Sequence, residues 1–254
     1  MIKRLSIIIL LATFFTTQSV WAEDVSRKLI KFTKTYSIHS YYDDSIVLLT
    51  PRKRGLETSF LSNGSTASSF VKPSNTTCAA VNGFYFGKGV DGERFQPAGS
   101  VTIYQWLNKQ SAYMPSTTNP DDDVNLWVQV FYNTINNNIS LNSPFKISHG
   151  VSFFAGPMII DQGIINPNLT KKISHRSTQH YRTFLIQDKN NKAIFGISKT
   201  KISLPELASK LSQIVKWTSY SVVNLDGGSS TSIAVSGYNF NATKNLPSRF
   251  STCK

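Results

Sequence analysis

The segment Val222–Val235 constrains the fold more than any other part of the chain, because two apolar runs flank one short polar turn. The first run ends at Asp226, Gly227 and Gly228 follow, and apolar residues resume at Ile233. This order predicts a strand, a tight turn and a second strand. Glycine permits positive φ angles and close approach of a ligand, so such a turn can direct backbone N–H groups and a carboxylate at one small volume. Asp-Gly is also a common hairpin turn, which needs no ligand.

Short strand patterns dominate the rest of the chain, and one amphipathic helix is evident. Ser203 and Glu206 form a capping-box pattern before a helix that ends near Trp217. A shorter helix is expected over Thr66–Val71. We predict an α+β fold, a single domain with a mixed, largely antiparallel sheet core and one or two packed helices. The further strand candidates are Ser45–Thr50, Ala79–Phe86, Ser100–Trp106, Asn125–Tyr132, Phe153–Ile160, Phe184–Ile186 and Ala193–Ser198.

The N-terminus has the three parts of a secretory signal peptide. Lys3 and Arg4 precede the apolar run Leu5–Phe15, which is too short to span a membrane, and cleavage is expected after Ala22. We therefore predict a periplasmic or secreted protein with one domain over residues 23–254; an uncleaved anchor is the alternative. No later segment is apolar enough to cross a bilayer, so an integral membrane protein is not expected after processing.

The chain is strongly basic, with 27 Lys and Arg against 14 Asp and Glu. Removing Lys3 and Arg4 with the signal peptide leaves 25 basic residues against the same 14 acidic ones. The basic residues are not interleaved with aromatic ones as on a nucleic-acid surface, so no nucleic-acid partner is predicted. The excess fits either a solvated surface or attraction to a polyanion, such as a phosphate-containing envelope polymer.

The two cysteines, Cys78 and Cys253, predict one disulfide in an exported protein. The bridge would tie the C-terminal tail to the strand that begins at Ala79. Two thiols this far apart, without a C-x-x-C motif, do not indicate a metal site. We predict neither a bound metal nor a cofactor.

Polar residues also close other apolar runs. Asn82 and Gly83 stand in V-N-G-F-Y-F, where they can offer a ligand an amide group or merely form a turn. Asp161 stands in A-G-P-M-I-I-D-Q-G, at a strand end that a turn alone would explain. Arg182 enters a strand in H-Y-R-T-F-L-I, and His180 begins that motif. The imidazole ring of His180 is equally consistent with a structural role and with a substrate-binding role.

The order of these motifs resembles the phosphodiester glycosidase family. The shared elements are N-G-F, A-G-P-M-I-I-D-Q-G, R-T before a strand, L-P-E-L-A-x-x-L and N-L-D-G-G-S-S-T. They span about Cys78–Val235. Many members carry three glycines after the Asp, where this chain has two, and N-G-G-F-F is common where this chain has Asn82–Phe86. The resemblance implies hydrolysis of the bond between the anomeric carbon and the phosphate of a sugar-1-phosphodiester.

The resemblance also implies roles for individual residues. A phosphate ester is a weak base, so its departure needs charge stabilisation more than a strong general acid. Arg182 would bind the phosphate oxygens and stabilise the departing charge. Asp226 would act as nucleophile or as base toward water, and would stabilise oxocarbenium-like charge. The expected substrate-binding residues are Asn82, Gly83, Gly227, Gly228, Ser229, Ser230, His180 and Asp161, and Asp161 is the candidate for a second carboxylate.

Other functions remain open from the sequence alone. One is a non-catalytic glycan- or polyanion-binding envelope protein, and another is a different phosphate-ester hydrolase on the same scaffold. A serine hydrolase that uses Ser229 or Ser230 is disfavoured, because the G-x-S-x-G motif is absent. The predicted partner is a carbohydrate phosphodiester or an envelope polymer.

Overall fold

The computed structural model describes residues 25–65, 77–88, 95–97, 100–105, 108–113, 128–145, 147, 149–170, 178–214, 220–240 and 246–252. These residues contain one α-helix, α1 (Leu204–Ile214), and a large number of short strands. In chain order the strands are β1 (Arg27–Phe32), β2 (Tyr36–Tyr41), β3 (Ile46–Pro51), β4 (Glu57–Ser65), β5 (Ala79–Asn82), β6 (Phe86–Lys88), β7 (Phe95–Pro97), β8 (Ser100–Gln105), β9 (Asn108–Tyr113), β10 (Val128–Asn133), β11 (Asn138–Leu141), β12 (His149–Ala155), β13 (Met158–Asp161), β14 (Ile164–Ile165), β15 (Thr183–Gln187), β16 (Ala193–Ser198), β17 (Ser221–Asn224), β18 (Ile233–Val235), β19 (Tyr238–Phe240) and β20 (Leu246–Ser251).

An eight-stranded sheet is the largest unit, with the strand order β1-β2-β3-β16-β15-β17-β13-β14. Strands β15 and β17 are antiparallel neighbours, with Phe184 opposite Asn224. The pairing continues past the strand ends, because Leu225 N donates to Thr183 O at 2.8 Å. The start of β15 and the end of β17 therefore lie at the same edge of the sheet. This geometry brings the chain before Thr183 next to the chain after Asn224.

Smaller sheets and the helix cover the two faces of the large sheet. The five-stranded sheets have the orders β19-β18-β5-β20-β4 and β11-β10-β12-β8-β9, and β6 pairs with β7. Val81, Phe153 and Phe250 from the five-stranded sheets pack with Leu185 of the large sheet in one buried core. The other face of the large sheet packs against α1, whose residue Leu207 is fully buried. Apolar burial on both faces is the main stabilising contribution to such a layered fold.

The architecture confirms the predicted antiparallel core and the helix that follows Ser203, but sheet dominates it more than the predicted α+β fold with one or two packed helices implies. Every strand pair within the described ranges is antiparallel, so no mixed sheet is found there. The Oγ atom of Ser203 accepts a hydrogen bond from Glu206 N at 3.3 Å, as the capping pattern predicts. The helix expected over Thr66–Val71, and the end of α1 near Trp217, lie outside the described residues.

Two runs predicted as single strands are each divided in the structure. The run Ala79–Phe86 becomes β5 and β6, and the run Phe153–Ile160 is interrupted at the Gly156–Pro157 peptide bond, which is cis. At the first break, Gly83 N donates to Ser248 O at 2.9 Å. The hydrophobic pattern alone does not reveal these breaks, because buried residues continue on both sides of them.

Gly83 is expected to tolerate no side chain. A Cβ atom there would lie 2.6 Å from Ser248 Oγ and 2.8 Å from the carbonyl carbon of Ser248. Because backbone atoms cannot yield as a flexible side chain can, Gly83→Ala should lower the free energy of unfolding by about 3 kcal/mol in urea titrations. The matched control is Gly237→Ala, where φ is +82° and nothing lies within 4 Å, so the cost should be about 1 kcal/mol. Equal losses at the two positions would contradict the packing argument.

Predictions about the chain ends fall largely outside the described residues. The predicted signal peptide, residues 1–22, and Cys253 both lie outside the described residues. Cys78 is buried, and its neighbour Ala79 exchanges hydrogen bonds with Thr252, through Thr252 N to Ala79 O and Ala79 N to Thr252 Oγ1, both at 2.8 Å. The chain is thus paired beside each cysteine, which favours the predicted disulfide without testing it. Within the ranges described, no helix has the length and apolarity that a bilayer span requires.

Candidate active site

Asn82, at the end of β5, connects the segments that carry Arg182 and Asp226. Its Nδ2 atom donates to Asp226 O at 2.6 Å. Its Oδ1 atom accepts from Thr183 Oγ1 at 2.8 Å and from Ser232 N at 3.0 Å. The residue is only 1% exposed, and these contacts use both ends of its amide. Asn82 therefore joins three segments of the chain at the site, and a contact between its side chain and a sugar stays a prediction.

Removing the Asn82 amide should weaken the whole fold. The Asn82→Leu substitution keeps a side chain of similar size but leaves Asp226 O, Ser232 N and Thr183 Oγ1 without this partner. Buried polar groups that lose a partner cost about 1–3 kcal/mol each, with partial relaxation, so we expect a loss of about 3 kcal/mol in the free energy of unfolding. Urea denaturation measures it. The control Asn190→Leu, at an exposed turn position, should change stability by less than about 0.5 kcal/mol; a similarly small effect at Asn82 would contradict this role.

The loop after Asp226 is anchored to the segment that precedes β15. Gly228, with φ of +62°, donates from its backbone N to Tyr181 O at 2.7 Å. A Cβ atom on Gly227 would lie 2.9 Å from the same carbonyl oxygen. The two glycines are thus needed for different reasons, since Gly228 supplies the left-handed backbone and Gly227 permits close packing. Asp226, at the start of this loop, is partly exposed.

Hydrogen bonding inside the loop limits which of its groups can bind a ligand. Gly228–Ser230 forms a short 3₁₀ turn, in which Ser230 N donates to Gly227 O at 3.1 Å. The side chain of Ser230 is buried, whereas Ser229 is exposed. The N–H groups of Gly227 and Ser229, with the Ser229 hydroxyl, are therefore the loop's candidates for binding an oxyanion. Ser230 is part of the turn itself.

Arg182 precedes β15 and is 5% exposed. Its Nε donates to Ile202 O at 3.0 Å and its Nη2 to Thr178 O at 2.7 Å, while its backbone N donates to Ser198 Oγ at 2.7 Å. Burial lowers the pKa of the Arg182 guanidinium from its ordinary value, and the electrostatic effect of Tyr85 acts in the opposite direction. Arginine remains protonated despite such a shift. The site therefore contains a fixed, largely desolvated positive charge.

Tyr85 and Asn224 belong to the same cluster, although no role for either residue was predicted from the sequence. Tyr85 Oη donates to Gly156 O at 2.9 Å and accepts from Asn224 Nδ2. Asn224 Nδ2 also lies 3.0 Å from Leu225 O and 3.3 Å from Gly156 O. Both residues stand inside the quoted motifs, V-N-G-F-Y-F and N-L-D-G-G. The motifs therefore contain both residues, but nothing in the sequence indicates that their side chains are in contact.

His180 lies close to Arg182 through shared neighbours. Its backbone forms a bridge with Ile202, with His180 N donating to Ile202 O at 3.2 Å and Ile202 N donating back at 2.9 Å. Its ring Nε2 is 2.9 Å from Thr178 Oγ1. Thr178 and Ile202 also accept hydrogen bonds from the Arg182 guanidinium. A substrate-binding role for His180 stays a prediction.

Asp161 is not brought to this cluster. Its Oδ1 accepts a hydrogen bond from Ser221 Oγ at 3.2 Å, and Ser221 is the first residue of β17. Asp226 lies beyond the last residue of the same strand. The length of β17 separates the two ends by about 10 Å at about 3.3 Å per residue. Asp161 is exposed and belongs to the opposite edge of the sheet, so it cannot act as a second carboxylate beside Asp226. Across the described part of the chain, no three His, Cys, Asp or Glu side chains are grouped so as to hold a metal ion.

The cluster lies within a segment that matches a known family. A model of the phosphodiester glycosidase family matches residues 75–252, which include Asn82, Arg182 and Asp226 and the strands that position them. The chain belongs to the phosphodiester glycosidase family. This membership confirms the family inferred from the order of the motifs. Comparison with curated proteins gives no match.

Solved structures with a similar backbone have very different sequences. A hypothetical protein from Synechocystis matches with a TM-score of 0.51 and 14% identity over 90% of this chain and 61% of its own. The chain thus spans 61% of the length of that relative, and the likeness concerns the fold alone. The zebrafish N-acetylglucosamine-1-phosphodiester α-N-acetylglucosaminidase catalytic domain, auto-inhibited by its pro-peptide, gives a TM-score of 0.48 and 13% identity over 91% of this chain and 82% of its own.

Proposed function

We propose that this phosphodiester glycosidase family member is an exported hydrolase that cleaves the sugar–phosphate bond of sugar-1-phosphodiesters, with phosphate-linked envelope glycans as its substrate class. One observation carries the proposal. The segments of Arg182 and Asp226 meet at Asn82, through the 2.6 Å bond to Asp226 O and the 2.8 Å bond from Thr183 Oγ1. A buried cation and a partly exposed carboxylate are the two charges that this reaction requires.

The chemistry follows from the charges that develop as the bond breaks. The bond between the anomeric carbon and the phosphate oxygen leaves its electron pair on the phosphate, while positive charge develops on the sugar ring. Arg182 stabilises the first charge, with the N–H groups of Gly227 and Ser229 as further donors. Asp226 stabilises the second, and either attacks the anomeric carbon or takes a proton from the attacking water. The products are a free sugar and a phosphate monoester.

The proposed location rests on the N-terminal pattern and on charge. Lys3, Arg4 and the apolar run Leu5–Phe15 form the proposed export signal. The surplus of basic residues in the remaining chain would attract anionic polymers outside the cytoplasm. Expression of the full chain, followed by cell fractionation and N-terminal sequencing, tests this point. A protein that begins at Met1 and stays in the cytoplasm would contradict it.

Activity is tested with a panel of defined sugar-1-phosphodiesters. The panel contains methyl phosphodiesters of glucose-1-phosphate and N-acetylglucosamine-1-phosphate in both anomeric forms, and the measured quantity is released reducing sugar. Release of reducing sugar from at least one member, in water labelled with heavy oxygen and with no label in the methyl phosphate formed, supports cleavage at the sugar carbon. Methanol release would indicate a phosphodiesterase that cuts the other ester bond. No product from any member would contradict the proposal.

The high positive charge favours one alternative, a non-catalytic protein that binds glycans or polyanions. The full chain has a formal net charge of +13 at pH 7, which would support salt-sensitive binding to an anionic polymer without catalysis. Binding of a phosphate-linked glycan that weakens with salt, in a protein that releases no sugar, would favour this alternative.

A further inference from the structure

We propose that the rings of Tyr181 and Phe240 form a binding surface for the sugar that is attached to the leaving phosphate. This inference rests on the proposed function, because it extends the candidate active site by one unit of a phosphate-linked glycan. The two rings are in edge-to-face contact, with their centroids 5.4 Å apart and their planes inclined at 67°. Both residues are partly exposed, so the pair is within reach of a ligand from solution.

The backbone of Tyr181 is fixed against the Asp226 loop. Its O accepts a hydrogen bond from Gly228 N at 2.7 Å, and a Cβ atom on Gly227 would lie 2.9 Å from the same oxygen. The loop that carries the proposed reacting carboxylate therefore packs directly on the residue that carries the first ring.

Phe240 reaches the same place from the β18–β19 hairpin. It pairs with Ile233, the first residue of β18. The preceding residue, Ser232, donates from its N to Asn82 Oδ1 at 3.0 Å, and Asn82 Nδ2 donates to Asp226 O. Two separate segments of the chain thus bring the ring pair to the border of the candidate active site.

Arg182 indicates which part of the substrate lies over the rings. Its Nε donates to Ile202 O at 3.0 Å. Tyr181 and Lys201 directly precede these two residues in the chain, so both are grouped around the cation that we assign to the leaving phosphate. The unit bound there is therefore the sugar that leaves with the phosphate, and the sugar whose anomeric carbon reacts lies on the side of Asp226.

The chemistry of the surface suits a sugar phosphate. A sugar ring has a face of C–H groups, which an aromatic ring removes from water while the hydroxyl groups stay solvated at the edge. Lys201 is exposed, and its Nζ lies 6.0 Å from the centre of the Tyr181 ring. Because this is the outer limit of a cation–π contact, the ring holds the ammonium loosely, and it can approach the next phosphate of the glycan. The surface therefore favours a phosphate-linked glycan over a neutral one.

Ligands that resemble the product test the inference without turnover. N-acetylglucosamine-6-phosphate carries a sugar on its phosphate and methyl phosphate carries none, and calorimetry gives the dissociation constant of each. We expect the wild type to bind the sugar phosphate about tenfold more tightly than methyl phosphate, the scale of one ring contact. Tyr181→Ala keeps the backbone bond to Gly228 and should remove most of this preference, with the methyl phosphate affinity within about twofold of wild type.

Phe240→Ala is the second variant, and it should remove the same preference from the hairpin side. The matched control is Phe32→Ala, another surface ring beside a cation, which lies 4.0 Å from the Arg52 guanidinium carbon to the ring centre. Phe32 is 60% exposed and belongs to β1, four strands from β15 in the large sheet. Its removal should leave both affinities unchanged. Thermal denaturation identifies any variant that is unfolded at the temperature of the titration.

Several outcomes would overturn the inference. They are equal affinity of the wild type for the two ligands, no binding of either ligand, an unchanged preference in both folded ring variants, and an equal loss for both ligands, which would indicate that the rings only support the loop. The proposed function fails differently, through the absence of sugar release from the diester panel while the preference for the sugar phosphate persists. Where turnover is found, Tyr181→Ala should lower kcat/KM about tenfold for a diester with sugars on both sides of the phosphate and leave the methyl diesters within about twofold.

Discussion

Replacing Asp226 with asparagine should abolish sugar release from a sugar-1-phosphodiester while leaving the fold intact. The amide neither attacks the anomeric carbon nor accepts a proton from water, and it carries no charge to stabilise the positive sugar ring. We expect kcat to fall by at least about a thousandfold. The fold should persist because Asn82 is bonded to the backbone oxygen of Asp226, which the substitution keeps. Initial rates and thermal denaturation midpoints measure the two effects.

The matched control for Asp226 is Asp161→Asn. Both positions exchange a carboxylate for an amide beside β17, but Asp161 lies at the other end of the strand, next to Ser221. Its substitution should leave kcat within about twofold of wild type, as expected for a surface change away from the site. An active Asp226→Asn protein, or an equal loss in both variants, would show that Asp226 is not the reacting carboxylate.

The second large effect is expected at Arg182, where lysine should not substitute for arginine. Lysine keeps the positive charge but has one nitrogen, which cannot serve Ile202 O, Thr178 O and a phosphate together. We expect Arg182→Lys to lower kcat/KM for the diester by about 100- to 1000-fold. The loss should be much smaller for a nitrophenyl glycoside, whose leaving group carries no phosphate.

Arg52→Lys is the control for that experiment. Arg52 is exposed, lies 4.0 Å from the centre of the Phe32 ring and donates from Nη1 to Thr33 O at 3.0 Å. Arg52→Lys should leave kcat/KM unchanged for both the diester and the nitrophenyl glycoside. If Arg182→Lys reduced the rates for the diester and the nitrophenyl glycoside by the same factor, a positioning role would replace the phosphate-binding role.

Local patterns in the sequence were sufficient for several elements of the fold. The capping residues Ser203 and Glu206 identified the start of α1, because the signal for a helix start is contained in four consecutive residues. Alternating or continuous apolar runs identified β3, β15, β16 and β17 for the same reason. The breaks at Gly83 and Gly156–Pro157 have local signals, because Asn-Gly and Gly-Pro are typical turn pairs, but the contacts that these positions make with distant strands leave no local trace.

The candidate site was predictable in its residue types but not in its geometry. Asp161 and Asp226 look alike in sequence, since each carboxylate closes an apolar run. Strand direction separates them, because antiparallel pairing puts the ends of β13 and β17 at opposite edges. Tyr85, which lies between β5 and β6, contacts Asn224 at the end of β17, and no spacing rule predicts this contact. The sequence pointed to Asn82 as a substrate-binding residue, but it gave no sign that its amide is buried and bonded to three distant segments.

The three partners of the Asn82 amide lie 101, 144 and 150 positions along the chain from it. No short fragment of the polypeptide can form these three hydrogen bonds, and loop closure over such distances is slow compared with helix formation. Catalytic competence should consequently arise in the last cooperative step of folding, together with the final tertiary packing. If the protein is exported unfolded, as the proposed signal peptide implies, the proposed hydrolytic activity would appear only after the chain had crossed the membrane and folded.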